Sequence, residues 1–146
     1  MSLEQNKAVA IASFRLIENA DPETARHIIA ADFINREAED DPEQTDRNLT
    51  GPEGFLATAT WLKGAFAELR FKDIEAIAED EQVAVRAVMT GRHVGEFQGI
   101  APTGKCIRQR QIHLFRLQMG KIVEHVAQRD DLGLLLHLGW RPRPDT

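Results

Sequence analysis

Residues 82–131 read QVAVRAVMTGRHVGEFQGIAPTGKCIRQRQIHLFRLQMGKIVEHVAQRDD, and this stretch decides the fold. Three runs in it, Val83 to Val94, Lys105 to Leu117 and Lys121 to Arg129, have strand character. A long glycine-bearing connection joins the first two and a tight turn at Gly120 joins the last two, which predicts an antiparallel meander. In the first run Val83, Val85, Ala87 and Met89 share one face, while Arg86, Thr90 and Arg92 share the other. In the second, Ile112 and Leu114 alternate with Gln111, His113 and Phe115, so apolar groups lie on both faces. Helices on the inner side and a second subunit on the outer side would account for that.

Upstream, the period changes. Gln5 to Asn19 carries Ala8, Ile11, Ala12, Phe14, Leu16 and Ile17 at close to 3.6-residue spacing, which predicts an amphipathic helix. Asp21-Pro22-Glu23 supplies an N-cap, a proline for the first helical position and an acid for the first turn of a second, short helix. Phe33-Ile34-Asn35 reads as a brief strand or extended return. Glu37 to Asn48, acidic and poor in large apolar groups, reads as a surface loop. Thr50-Gly51-Pro52-Glu53 opens a third helix, whose apolar positions run from Phe55 through Trp61, Leu62 and Phe66 to Leu69. Phe71 to Ala78 alternates as the first strand of the main sheet, and Leu132 to Leu138 forms a short terminal helix. The class is therefore α+β: N-terminal helices followed by an antiparallel sheet, from about residue 71 to 130.

A chain of 146 residues is the size of one domain, with 42% hydrophobic and 28% charged residues and no run long enough to span a bilayer. The expectation is a single domain over residues 1–146. MSLEQNKAVAIASF has no basic leader or small-residue cleavage pattern, and the one cysteine, Cys106, suits a reducing compartment, so a cytoplasmic location is expected. A net charge of -5 with scattered Lys and Arg excludes the footprint of a nucleic-acid binder.

Gly99 to Lys105 has the spacing of a phosphate-cradling loop, but Cys106 and then a strand follow where a hydroxyl residue and a helix are needed, so no nucleotide is expected. Cys106 has no base beside it and reads as a half-exposed strand cysteine. The five histidines, His27, His93, His113, His125 and His137, show no ligand spacing, so no metal is expected. His113 and His125 stand apart because they lie on strands expected to be neighbours, in runs of branched apolar residues. Gln111, two residues before His113, shares its face. An apolar pocket with a few convergent polar groups is the usual make-up of a small-molecule site, and two hydrogen-bonded core histidines are the bland alternative.

Several further segments carry a resemblance: Gly51 to Phe55 opening a helix, Val83 to Arg86, Thr90 to His93, Gly95 to Ile100 with Pro102 to Lys105, Phe115-Arg116, Gly120 to His125, and Leu132 to Leu135 with Leu138-Gly139. In this order they resemble the SnoaL-like polyketide cyclases of the nuclear transport factor 2-like superfamily. The resemblance implies a cone-shaped α+β barrel, a strongly curved antiparallel sheet wrapped around the N-terminal helices and enclosing a pocket, often dimeric through the outer sheet face, and a cofactor-independent intramolecular aldol closure on an aromatic polyketide ester. It places Gln111, His113 and His125 at pocket positions. The catalytic aspartate that follows the histidine by two residues in the family is replaced here by Ala127.

On a strand, residue 127 shares its face with His125 and Arg129, whereas Glu124 and Asp130 point oppositely. Proton transfer is therefore expected from His113 or His125, since imidazole titrates near neutral pH. Gln111, Phe115, Trp61, Phe66 and Arg129 are the expected contacts for a small apolar or aromatic carbonyl compound, in a homodimer or higher homo-oligomer. Whether Asp32, Asn35 or Glu37 reaches the pocket is left open. A non-catalytic binding or interaction module is the alternative.

Overall fold

Ser2 starts the chain's first element by a reciprocal cap: Gln5 N–H donates to Ser2 Oγ at 3.1 Å while Ser2 N–H donates to Gln5 Oε1 at 2.9 Å. In the computed structural model, which describes residues 2–36 and 50–144, this cap opens α1 (Leu3–Asn19). Asp21 caps α2 (Pro22–Ile28), with Pro22 at its first position. The backbone then turns extended as β1 (Ile29–Asn35), longer than the brief strand expected. The acidic stretch expected as a surface loop, Glu37 included, lies outside the described residues. Helix α3 (Gly51–Ala65) begins at a glycine of φ 68°, where an added Cβ would sit 2.8 Å from the Ala31 carbonyl oxygen. Only glycine allows β1 and the start of α3 to approach this closely.

Four strands follow, β2 (Phe66–Glu79), β3 (Gln82–His93), β4 (Cys106–Gln118) and β5 (Lys121–Arg129), and then α4 (Asp131–His137). The sheet order is β1-β5-β4-β3-β2. Strands β2 to β5 form the expected antiparallel meander, with Met119 and Gly120 both at positive φ in the β4–β5 turn, as a two-residue hairpin requires. The sheet is not wholly antiparallel, because β1 pairs with β5 in the parallel sense. It joins the sheet from the far end of the chain, so no hairpin dictates its direction.

The third helix stops at Ala65, not near Leu69 as its apolar spacing suggested, and Phe66 already belongs to β2. Leu62, Phe66 and Leu69, four and three residues apart, imitate a helical stripe. The cause is a bulge: Glu68 has φ 58°, the β2–β3 register slips between Ala67 and Arg70, and Phe66, Leu69 and Phe71 are all buried. A second slip, between Lys72 and Glu75, surrounds Asp73 at φ 53°. Two extra residues in one strand bend the sheet, which gives its inner face room for the helices.

That inner face packs against α1 and α3. Phe14 of α1 is fully buried, edge-on to Phe71, Phe115 and His113 with ring centroids 5.1, 5.9 and 4.8 Å apart. Burying one such ring contributes roughly 1.5–3 kcal/mol. Strand β4 alternates without a break: Ile107, Gln109, Gln111, His113, Phe115 and Leu117 are buried, and Ile112 and Leu114 face out, 52% and 39% exposed. The apolar outer face expected from the sequence is present and uncovered in the single chain.

Candidate functional site

Three of the buried residues on β4 are polar. Gln109, Gln111 and His113 occupy consecutive inward positions, and His125 of β5 joins them, each no more than 7% exposed. Antiparallel pairing sets Phe115 opposite His125, Ala127 opposite His113 and Arg129 opposite Gln111. His113 and His125 are thus diagonal neighbours, close enough for long side chains to meet.

They meet ring to ring. His113 Nδ1 lies 2.7 Å from His125 Nε2, and His113 Nε2 lies 2.7 Å from Gln111 Oε1. Gln111 Nε2 donates to Gln109 Oε1 at 2.9 Å, with the Met89 sulfur 3.6 Å away as a second, weak acceptor. At the other end His125 Nδ1 faces Asn35 Oδ1 of β1 at 3.1 Å. All four ring nitrogens therefore have partners, as burial demands. Burial holds the His113 pKa well below the usual histidine value, and the nearby His125 and Arg129 charges push in the same direction. His113 is a neutral imidazole at physiological pH.

The pair lines a mostly apolar cavity of about 470 Å³, its open mouth included. Phe14, Phe55, Phe71 and Phe115 supply apolar walls, Ser13 and Thr58 supply hydroxyls from α1 and α3, and Arg129 supplies a cation from β5.

Of the residues expected at the site, Gln111, His113, Phe115, His125 and Arg129 converge on this cavity. Trp61 and Phe66 are not among its lining residues. Trp61 is 43% exposed and lies against Phe97 at 5.5 Å, and Phe66 packs on Phe97 and on His93 at 5.0 and 5.7 Å. Their sequence positions imitated a continuous helical wall, but Phe66 begins a strand and Trp61 lies on the exposed side of α3. Asn35 does line the cavity, and Asp32 is exposed on β1. Gln109 was missed although its two-residue spacing from Gln111 places it on the same inward face. Phe14, Phe71 and Met89 carry no sign in sequence beyond being apolar. Among the described residues no group of three His, Cys, Asp or Glu side chains could hold a metal ion, and no helix is long and apolar enough to cross a membrane. Cys106 is exposed.

Fold and cavity together define a small α+β protein with a pocket between a curved sheet and its helices, and a buried histidine pair in the pocket wall. The sequence model of the SnoaL-like polyketide cyclase family matches residues 8–138, and the chain belongs to that family. It is similar to the aklanonic acid methyl ester cyclase AcmA of Streptomyces galilaeus, 37% identical over 117 residues that cover 80% of this chain and 81% of that one. It is also similar to the aklanonic acid methyl ester cyclase DnrD of Streptomyces peucetius, 40% identical over 103 residues and covering 64% and 71% of the two chains. Among solved structures, TsrD from Streptomyces laurentii shares the fold, with a TM-score of 0.81 at 20% identity over 95% of this chain and 98% of that one. Wild-type IdmH from Streptomyces antibioticus is similar with a TM-score of 0.77 at 26% identity over 93% and 99%.

Proposed function

We propose that the cavity binds a small aromatic or apolar carbonyl compound, of the methyl-ester kind named for the cyclase relatives, and closes a ring in it by cofactor-independent acid/base chemistry. The observation that supports this reading is the hydrogen-bonded run His125–His113–Gln111 in the wall of an apolar cavity. Ala127, which pairs directly opposite His113, cannot transfer a proton. His125 takes over as base. Its Nδ1 removes the proton α to a carbonyl, the guanidinium of Arg129 stabilises the enolate oxygen, and the enolate carbon attacks a second carbonyl carbon. The new alkoxide then takes the proton back from His125. The product is an isomer of the substrate, so no redox partner is required, and general acid–base transfer of this kind contributes about 10²- to 10⁴-fold.

In this reading the protein works in the cytoplasm as a homo-oligomer paired through the outer sheet face, where Ile112 and Leu114 are exposed. Sedimentation equilibrium checks the pairing: Leu114→Arg converts the assembly to monomer, and an unaltered mass places the contact elsewhere.

Calorimetric titration with aklanonic acid methyl ester, coupled to chromatographic detection of product, tests the reaction. The native chain binds and converts the ester, His125→Phe is slower by about 10²- to 10⁴-fold, and Ala127→Asp is faster than native. Binding without product in both the native chain and Ala127→Asp leaves a non-catalytic binding module, the reading favoured by Ala127. Absence of binding sinks both.

A further inference from the structure

The hydrogen-bond run does not end at Gln111. Gln109, 3% exposed, hands it on: its Nε2 donates to the backbone oxygen of Asp130 at 3.3 Å and to Asp131 Oδ1 at 3.1 Å, at the exposed start of α4. One continuous chain of side chains thus runs from the surface at α4 to Asn35 on β1.

Its direction follows from the chemistry of its α4 end. A carbonyl and a carboxylate only accept hydrogen bonds, so Gln109 must turn its NH2 toward them and its oxygen toward Gln111. Gln111 must then give its NH2 to Gln109 and present its oxygen to His113 Nε2. That oxygen cannot donate, so His113 carries its hydrogen on Nε2 and a lone pair on Nδ1. The lone pair requires His125 to donate from Nε2. A second hydrogen on His113 would collide with that donor, which leaves Nδ1 of His125 as the one ring position of the pair that gains or loses a proton. Asn35 suits both states, because an amide donates to a lone pair and accepts from an N–H.

We infer that Gln109 and Asp131 are positioning residues for the histidine pair: by fixing the direction of the chain they confine its exchangeable proton to Nδ1 of His125. This inference concerns the same site as the proposed function, and its test uses no substrate. Among the described residues, the titratable and charged groups lining the cavity beside His125 are His113 from β4 and Arg129 from β5. The groups that α1 and α3 bring to it are Ser13 and Thr58 hydroxyls and apolar side chains.

Long-range proton–nitrogen NMR of the full chain, labelled with nitrogen-15 in histidine, reads both tautomers directly. In the native protein His113 is expected with hydrogen on Nε2 alone at every pH where the protein is folded, while His125 keeps hydrogen on Nε2 and titrates at Nδ1. Gln109→Leu frees the Gln111 amide, and His113 divides between two tautomers. Asp131→Ala, at an exposed position, shifts the same signals less, because the Asp130 carbonyl still accepts, and Asp131→Asn restores them by returning an acceptor. A native His113 with hydrogen on Nδ1 overturns the inference. So does an unchanged His113 spectrum in both Gln109→Leu and Asp131→Ala. Should Gln109→Leu not fold, Asp131→Ala decides alone. Loss of substrate binding or turnover, with the tautomers as described, would count against the proposed reaction and not against this assignment.

Discussion

Two buried histidines on neighbouring strands live in opposite circumstances. His93, at the end of β3, is fully buried: its Nδ1 accepts from Thr103 N–H at 3.2 Å and lies 3.0 Å from Thr103 Oγ1. Its hydrogen is therefore on Nε2, and that atom has no partner among the described residues. His113, on β4, is as deeply buried, yet both its nitrogens are engaged in a run that continues in either direction. The first ring pins the β3–β4 connection, which also closes through Gly104 N–H to His93 O at 2.9 Å and His93 N–H to Lys105 O at 2.8 Å. The second borders a cavity and couples to a titratable neighbour. Burial of a histidine does not make a site; its connection to other polar groups beside open space does.

The largest break in this comparison comes from His113→Leu. It removes the His113 partner of His125 Nε2 and of the Gln111 oxygen, and a buried polar group that loses its hydrogen bond costs about 1–3 kcal/mol. Urea unfolding is expected to show a loss of about 2–4 kcal/mol together with loss of ligand affinity. A loss below about 1 kcal/mol would mean that the pair is not hydrogen-bonded as described.

A smaller effect is set by pH. The folded His113 pKa lies well below its unfolded value, so between the two the unfolded chain binds the extra proton and the folded chain does not. Stability from this group is complete above about pH 6.5 and declines as pH falls below it, with a slope of up to ~1.4 kcal/mol per pH unit. Denaturation series from pH 7 downward should show this slope in the native protein and a shallower one in His113→Leu. Equal slopes would remove His113 as the cause.

His93→Leu sharpens the contrast with the smallest change. It forfeits the bonds to Thr103 and also removes an unsatisfied donor, two effects of about 1 kcal/mol each and opposite sign. Net stability is expected to move by less than about 1 kcal/mol, with cavity affinity unaltered. Weakened binding in a folded His93→Leu would show that the two ends of the sheet are coupled.

Much of this was legible in the chain itself. Alternation in 82–129 marks the meander and its inward residues, because a strand's period of two is a local property of the backbone. Gln111, His113 and His125 could be set on one surface from spacing alone, Asp21-Pro22 announced the start of a helix, and Gly120 announced a turn. That residue 127 is an alanine, with no proton to transfer, is also a fact of sequence. The site was less legible at Trp61, which lies on the exposed side of α3, and at Phe66, because the bulge at Glu68 gave a strand the spacing of a helix.

Only the tertiary structure decided which polar groups touch. Asn35 and His125 are 90 residues apart and Gln109 and Asp131 are 22 apart, and no local rule brings either pair within hydrogen-bond distance. It also decided that β1 joins β5 in parallel, carrying Asn35 to the cavity, and that α4 starts where its acceptors meet Gln109. Spacing along a strand determines which way a side chain points; what it meets depends on elements brought together from distant parts of the chain, and here those meetings fix where the proton sits.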